Sequence, residues 1–182
     1  MRPTPRAALL VLATTLPGYL IAQDTPPCSQ PILSEIRFLE GTWSIQFRSR
    51  LSASPTDWES GVATATIESL LRGCAFIERY AGTRRGHPLE AVRLFAATPG
   101  GSGLRVVLAD SEHGPLFAFD GGPEGDGVAF YTQVTTPAGQ VRLRLRFQDI
   151  RSDYFVTESS RSVDEGKTWD TTGRAEYRRS SR

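Results

Sequence analysis

The sequence contains few of the residue types that most often bind metals and cofactors. It has two cysteines and two histidines, and its 21 basic residues include one lysine, so 20 are arginine. A metal site built on Cys28 and Cys74 would need further ligands, and His87 and His113 are the two histidines available. We therefore expect neither a metal site nor a cofactor.

The chain also lacks an excess or a block of one charge. Its formal net charge is +1, with basic and acidic residues scattered along the sequence. Nucleic acids and acidic membrane surfaces are bound by clusters of Lys and Arg, so we expect no nucleic-acid partner. Hydrophobic residues make up 39% and charged residues 23% of the 182 residues, which suits one folded domain.

No apolar run is long enough for a membrane anchor, which needs about 18 residues. Instead, Arg2 and Arg6 precede a short apolar run at 7–13. A less apolar segment at 14–22 follows and ends at a predicted cleavage site after Ala22. This order is typical of a secretory signal peptide. We predict a signal peptide at 1–22, a secreted or periplasmic location, and no membrane span after cleavage.

Two cysteines follow the predicted signal peptide, Cys28 and Cys74. In an oxidising compartment a lone pair of cysteines most simply forms a disulfide. Such a bond would tie the leader to a strand and stabilise the fold by about 3–4 kcal/mol in the chain-entropy model. Free thiols at both positions in non-reducing peptide mapping would exclude it.

The spacing of apolar residues changes at Gly41. Before it, Leu33, Ile36 and Leu39 recur at helical spacing and predict a short helix within a leader at 23–40. After it, apolar and polar residues alternate, and Gly, Pro and Asp separate the alternating runs. The predicted strands are a first one around Trp43–Phe47, then Val62–Leu70, Cys74–Tyr80, Leu89–Ala97, Leu104–Asp110, Leu116–Asp120, Val128–Thr132, Val141–Phe147, Tyr154–Arg161 and Thr171–Arg178.

Ten strands without intervening helices predict an antiparallel meander. A meander of this length must protect its edge strands, either by closing into a barrel or by forming a sandwich. The short helix before the first strand favours the barrel, which that helix can plug. We therefore predict an all-β, up-and-down antiparallel barrel of about ten strands at 41–179.

The octet Ser162–Trp169 fits the Asp-box pattern S-x-D-x-G-x-T-W of sialidases and other β-propellers. Propellers repeat this motif once per blade of about 40–50 residues, whereas this chain has one copy and no internal repeat. The motif is a hairpin device in which the Asp carboxylate accepts N–H bonds and the Gly takes a positive φ. We interpret it as a structural hairpin between the last two strands.

The segment "FLEGTW" (Phe38–Trp43) places Gly-x-Trp at the start of the first strand, as lipocalins do. In such barrels the Trp closes one end, and an Arg from the last strand often packs over its ring. The last predicted strand offers three arginines for this contact: Arg174, Arg178 and Arg179.

Several segments in one order carry a wider resemblance: Cys28, "FLEGTW", "IESLLRGCAFIERYAG", "VVLADSEHGPL" and "SSRSVDEGKTWDTTGRAEYRR". The chain resembles a family of secreted, mostly bacterial proteins of uncharacterised function with a lipocalin-like (calycin-type) barrel. The resemblance implies a disulfide between the two cysteines and implies no reaction. The chain departs from the family at Leu108 and at Thr157, where the family often has aromatic residues that could form a pocket wall.

Four polar or aromatic residues are candidates for the inside of the barrel. Glu78 and Tyr80 share one strand face, and a carboxylate inside a barrel needs a partner, for which Arg93 is suitable. Such a buried pair is more often structural than catalytic. Asp110 ends a strand at the barrel mouth near His113, where an Asp usually caps a turn.

The segment "VRLRLRF" (Val141–Phe147) alternates apolar residues with arginines. The simpler interpretation is that the arginines form a solvated outer face. The alternative is an arginine-lined lumen that binds an anionic head group such as a carboxylate, as fatty-acid-type barrels do. Glu158 on the next strand is positioned to pair with Arg144.

The sequence as a whole favours binding of a small hydrophobic or amphipathic ligand in the lumen. The predicted contacts are Trp43, Glu78, Tyr80, Arg93, Asp110, Arg144 and Glu158. Two alternatives remain open at this point. One is a barrel isomerase or cyclase with Glu78 or Asp110 as its base, and the other is an envelope interaction module with a dry core. The sequence does not indicate an oligomeric state.

Overall fold

The computed structural model describes four ranges of the chain, residues 30–50, 57–84, 86–112 and 116–180. The predicted signal peptide, Cys28 and His113 lie outside these ranges. The disulfide between Cys28 and Cys74 therefore stays a prediction.

Two 3-10 helices and ten strands make up the described chain. The helices span Pro31–Leu39 and Leu71–Gly73. The strands, numbered in chain order, are β1 (Gly41–Arg50), β2 (Trp58–Leu70), β3 (Ala75–Arg84), β4 (His87–Ala97), β5 (Leu104–Asp110), β6 (Phe117–Glu124), β7 (Gly127–Thr136), β8 (Gly139–Gln148), β9 (Tyr154–Ser162) and β10 (Asp170–Arg179).

The ten strands form one closed barrel in which every strand pairs antiparallel with its neighbours in sequence. The barrel closes where β1 pairs with β10, with Trp43 opposite Arg179 and Phe47 opposite Ala175. Closure leaves no free edge strand, which is the physical advantage of this architecture. The predicted all-β up-and-down barrel of about ten strands is confirmed.

The helix Pro31–Leu39 covers one end of the barrel. Its buried residues Leu33, Ile36 and Leu39 are three positions apart. Because a 3-10 helix has three residues per turn, this spacing places all three on one face. That face joins the barrel core, so the predicted helix is present and is of the 3-10 type. No helix within the described residues is long and apolar enough to cross a membrane.

Aromatic rings fill the end of the lumen beside this helix. Phe95, Phe130, Phe147 and Phe155 are fully buried, and neighbouring rings lie about 6 Å apart, mostly edge to face. We call this the closed end. The opposite end, where β1 leads to β2 and β9 leads to β10, is the mouth.

Several strands extend beyond their predicted bounds. The strand β3 continues through Gly82 to Arg84, and β6 continues through Gly121 to Glu124, although both stretches have turn-like residues. At Gly121 a Cβ would lie 1.9 Å from the carbonyl oxygen of Ala129, so a glycine is needed where the two strands approach closely. Pairing around the closed barrel thus overrides the local turn signal.

The Asp-box octet forms the hairpin between β9 and β10. The Asp164 carboxylate accepts hydrogen bonds from the hydroxyl (2.6 Å) and backbone N–H (2.9 Å) of Thr168 and from the hydroxyl of Ser162 (2.7 Å). These bonds lower the pKa of Asp164 well below its usual range. Gly166 has a φ of +94°. The octet is therefore a structural turn, as we interpreted it from one copy of the motif.

Candidate functional site

The Gly-x-Trp motif locks the closed end. Trp43 is fully buried, and its Nε1 donates a hydrogen bond to the Leu39 carbonyl at 2.7 Å. The Arg179 guanidinium lies 4.3 Å from the centroid of the Trp43 ring and donates a hydrogen bond to the Glu40 carbonyl at 2.9 Å. Gly41 has a φ of +140°, which side-chain-bearing residues rarely adopt, and a Cβ there would also lie 2.1 Å from Nη1 of Arg179 and displace the guanidinium. Of the three arginines considered, Arg179 is the one that packs over Trp43.

A triangle of hydrogen bonds crosses the middle of the lumen. Glu78 on β3 faces Arg93 on β4, and Nη1 of Arg93 donates to the Glu78 carboxylate at 2.9 Å. The Tyr177 hydroxyl donates to the other oxygen of Glu78 at 3.0 Å and accepts from Nη1 of Arg93 at 3.2 Å. The Glu78 side chain is 1% exposed and that of Arg93 is 16% exposed. The predicted Glu78–Arg93 pair is thus present, and Tyr177 completes it.

The low-polarity surroundings change the ionisation of this group. Burial would lower the pKa of Arg93, but the Glu78 carboxylate and the Tyr177 oxygen favour the cation more strongly, so the net pKa is raised. Burial raises the pKa of Tyr177 and that of Tyr80 above their usual value, and the positive charge of Arg93 only partly opposes this. Both tyrosines are therefore neutral at physiological pH, and Tyr177 donates its proton to the hydrogen bond with Glu78.

The raised tyrosine pKa values predict alkaline destabilisation. A tyrosine whose folded pKa exceeds its unfolded value of about 10 stabilises the fold fully below pH 10 and loses that contribution as pH rises further. Above pH 10, Tyr177 should contribute a fall in the free energy of unfolding of about 1.4 kcal/mol per pH unit. In urea titrations between pH 9 and 11.5, Tyr177→Phe should show a correspondingly smaller slope; an unchanged slope would contradict the assignment.

A cavity of about 180 Å³ lies between this triangle and the mouth. Arg93, Tyr80 and Tyr177 form its floor, and the mouth connects it to solvent. A larger depression of about 640 Å³ lies elsewhere, on the outer surface of β1, β2 and β10. That depression is an open groove beside outward-facing side chains such as Val62, which is 64% exposed. The cavity in the lumen is therefore the better candidate for a binding site.

The walls of this cavity have two different characters. Leu89, Ala91 and Leu108 form an apolar wall from β4 and β5. Thr157 and Ser159 from β9 add hydroxyl groups on another side. Leu108 and Thr157, the two positions at which the sequence led us to expect a different pocket wall, both line this cavity.

Charged residues surround the mouth of the cavity. Arg84 forms an ion pair with Glu59 at 3.2 Å and another with Glu112. Asp110 also lines the cavity, and its Oδ1 accepts the backbone N–H of Glu112 at 2.9 Å. This bond is the turn cap that an Asp at the end of a strand usually forms.

The arginines of "VRLRLRF" lie outside the barrel. The guanidinium of Arg144 stacks on Trp169, 4.5 Å from the ring centroid, and lies 3.8 Å from the Glu158 carboxylate. The apolar residues that alternate with these arginines, such as Leu145 and Phe147, are buried in the core. The hypothesis of an arginine-lined lumen on this strand is therefore wrong, because β8 presents its other face inward.

The seven predicted contact residues occupy four different places. Those that line the cavity are Tyr80, Arg93 and Asp110. Glu78 lies directly beneath the floor, with each carboxylate oxygen engaged by Tyr177 or Arg93. The remaining three are away from the cavity: Trp43 in the closed end, and Arg144 with Glu158 on the outer face.

Sequence reasoning missed Tyr177 and the apolar wall. Tyr177 lies on the same face of β10 as Arg179, which packs over Trp43. The sequence offered Arg174 and Arg178, on the opposite face, as equal candidates for that contact, so it did not mark the face of Tyr177 as inward. No sequence signal marks Leu89, Ala91 or Leu108 either. An apolar residue on the inward face of a strand can pack in the core or line a cavity, and its identity does not distinguish the two.

Comparison with known proteins supports the fold. No protein-family model and no curated protein matches the chain. Among solved structures it is similar to Rv2717c from M. tuberculosis, with a TM-score of 0.55 and 13% identity over 83% of this chain and 98% of that one. It is also similar to the S-type phycobiliprotein lyase CPES from Guillardia theta, with a TM-score of 0.54 and 13% identity over 86% of this chain and 99% of that one. At this identity the similarity is one of fold.

Proposed function

We propose that the protein binds a small molecule in the lumen cavity, and that it does so outside the cytoplasm. The observation that carries the proposal is the cavity of about 180 Å³ above the Glu78–Arg93–Tyr177 triangle. It combines an apolar wall with a polar floor, which is the usual composition of a ligand pocket. The signal-peptide pattern at 1–22 and the resemblance to a secreted family support the location.

The volume limits the size of the ligand. An engineered cavity of about 150 Å³ accommodates benzene, whereas pockets for drug-sized ligands measure about 300–1,000 Å³. A space of about 180 Å³ therefore suits one ring with a small polar substituent. A longer ligand would have to extend through the mouth into solvent.

The geometry favours binding over the enzymatic alternative. Both oxygens of Glu78 accept hydrogen bonds from neighbouring side chains, and Glu78 lies below the cavity floor. Asp110 does line the cavity, but its Oδ1 caps a turn. A space that side chains leave open also favours ligand binding over a module with a dry core.

The proposal is tested by filling the cavity. Ala91→Phe places a ring in the lumen, and Val92→Phe places the same ring on the outer face of the same strand, where Val92 is 45% exposed. Ligand-observed NMR with neutral, anionic and cationic one-ring probes should detect binding to the wild type and to Val92→Phe. Ala91→Phe should weaken the binding at least about 10-fold, because the probe and the new ring need the same space.

Two outcomes would contradict the proposal. One is the absence of binding by every probe to the wild type, and the other is unchanged affinity in a folded Ala91→Phe variant. Leu108→Trp fills the cavity from the neighbouring strand and replaces Ala91→Phe if circular dichroism shows that the latter is unfolded. Mass spectrometry of molecules that co-purify with the secreted protein would then identify the natural ligand.

A further inference from the structure

We infer that the ligand of this cavity is a small organic acid and that Arg93 binds its carboxylate. The inference rests on the proposed function, since it names the chemical class that the same cavity accepts. Its starting point is a pair of buried polar atoms, on two residues that line the cavity, that lack the partners that buried polar atoms normally have.

The two atoms are Nε of Arg93 and Oγ of Ser49. Both are buried, both residues line the cavity, and neither atom has a hydrogen-bond partner among the described residues. The large majority of buried polar side-chain atoms in proteins are hydrogen-bonded, so each exception needs an explanation. Neither atom has accessible surface in this structure, so a ligand in the cavity would first meet the rest of the Arg93 guanidinium, and a bond to Nε–H requires a small movement of that side chain.

The orientation of the Arg93 guanidinium suits a carboxylate. Its contacts with Glu78 and Tyr177 both use Nη1. In an arginine side chain, Nε–H and one N–H of Nη2 point in the same direction and form the edge that binds a carboxylate through two parallel bonds. Glu78 therefore holds Arg93 through Nη1, and a carboxylate in the cavity would bind the Nε–Nη2 edge once a side-chain movement makes Nε accessible.

Specificity would come from these donors more than from the net charge of the cavity. Four arginines and two acidic residues line it, and the carboxylates of Glu78 below the floor, Glu59 beside Arg84 and Asp149 beside Arg174 bring the net charge to −1. An anion is thus neither strongly attracted nor repelled at long range. At the floor, the Glu78 oxygens are already engaged, which disfavours a cationic ligand, whereas hydrogen bonds from a guanidinium to a carboxylate are about twice as strong as neutral ones.

The test uses three probes of nearly the same shape and different charge: benzoate, benzamide and benzamidinium. Calorimetric titration of the wild type at pH 7 should show that benzoate binds at least about 10-fold more tightly than benzamide, with benzamidinium weakest. Glu78→Gln removes the neutralising charge beside Arg93 and should keep or tighten the binding of benzoate. The double variant Glu78→Gln with Arg93→Gln retains polar partners but should bind benzoate no better than benzamide.

Arg79→Gln is the matched control, because Arg79 lies on the outer face of β3 in an exposed ion pair with Glu68. It should leave the benzoate preference unchanged. If the double variant does not fold, the test uses the wild type instead and follows the NMR signal of the Arg93 Nε–H. This signal should shift on addition of benzoate but not of benzamidinium.

The possible failures are distinguishable. Equal binding of benzoate and benzamide by the wild type, or a benzoate preference that survives loss of Arg93, would overturn the inference and leave the proposed binding function intact. Absence of a benzoate-dependent shift of the Arg93 Nε–H would also overturn it. Failure of all three probes to bind the wild type would overturn both.

Discussion

Replacing Glu78 with leucine is expected to lower the free energy of unfolding by about 3–5 kcal/mol. The substitution removes the carboxylate that pairs with Arg93 at 2.9 Å and accepts from Tyr177 at 3.0 Å. The Arg93 side chain, 16% exposed, would then hold a largely desolvated charge without its carboxylate partner. Urea denaturation followed by circular dichroism at pH 7 measures the change.

The same substitution on the outer face provides the control for this prediction. Glu68 pairs with Arg79 at 3.0 Å, and both side chains are more than half exposed, so Glu68→Leu should cost less than about 1 kcal/mol. Combining Glu78→Leu with Arg93→Met should recover at least about 2 kcal/mol of the loss, because it removes the uncompensated charge. Additive losses from the two substitutions would contradict the interpretation of the pair as one buried unit.

Replacing Trp43 with alanine should destabilise the barrel by about 3–5 kcal/mol. The ring is fully buried, packs edge to face on Phe155 at 4.7 Å, and supports the guanidinium of Arg179. The substitution also removes the donor to the Leu39 carbonyl, which holds the helix onto the closed end. The midpoint of urea denaturation should fall accordingly.

Trp58→Ala provides the comparison at the opposite end of the barrel. The Trp58 ring is only partly buried and lies under the guanidinium groups of Arg48 and Arg50, about 5 Å away. Its loss should cost clearly less than that of Trp43, since less apolar surface is removed from the interior. Equal losses from the two substitutions would show that the closed end does not carry the stability we assign to it.

Much of the fold was predictable because it depends on local patterns. Alternation of apolar and polar residues marked all ten strands, and turn residues marked their approximate ends. The bounds of β3 and β6 were less accurate, because Gly82 and Gly121 look like turn residues but pair with neighbouring strands. That pairing depends on where a neighbouring strand lies, which no local pattern records.

The candidate site was predictable only in part. The face shared by Glu78 and Tyr80 suggested an interior carboxylate, and the need to neutralise it pointed to Arg93. The same reasoning wrongly allowed Arg144 to face the lumen, because period-two alternation separates two faces without saying which one is inward.

The sequence by itself determined the class of fold, the Asp-box hairpin and the pairing of Glu78 with Arg93. Each of these follows from residue spacing, turn chemistry or the cost of burying a charge. The tertiary structure decided which strand faces point inward, that the closed end is filled, and that the space below the mouth is open. It also brought Tyr177 to Glu78 across 99 residues of sequence, because only closure of β10 onto β1 places the last strand against the same lumen.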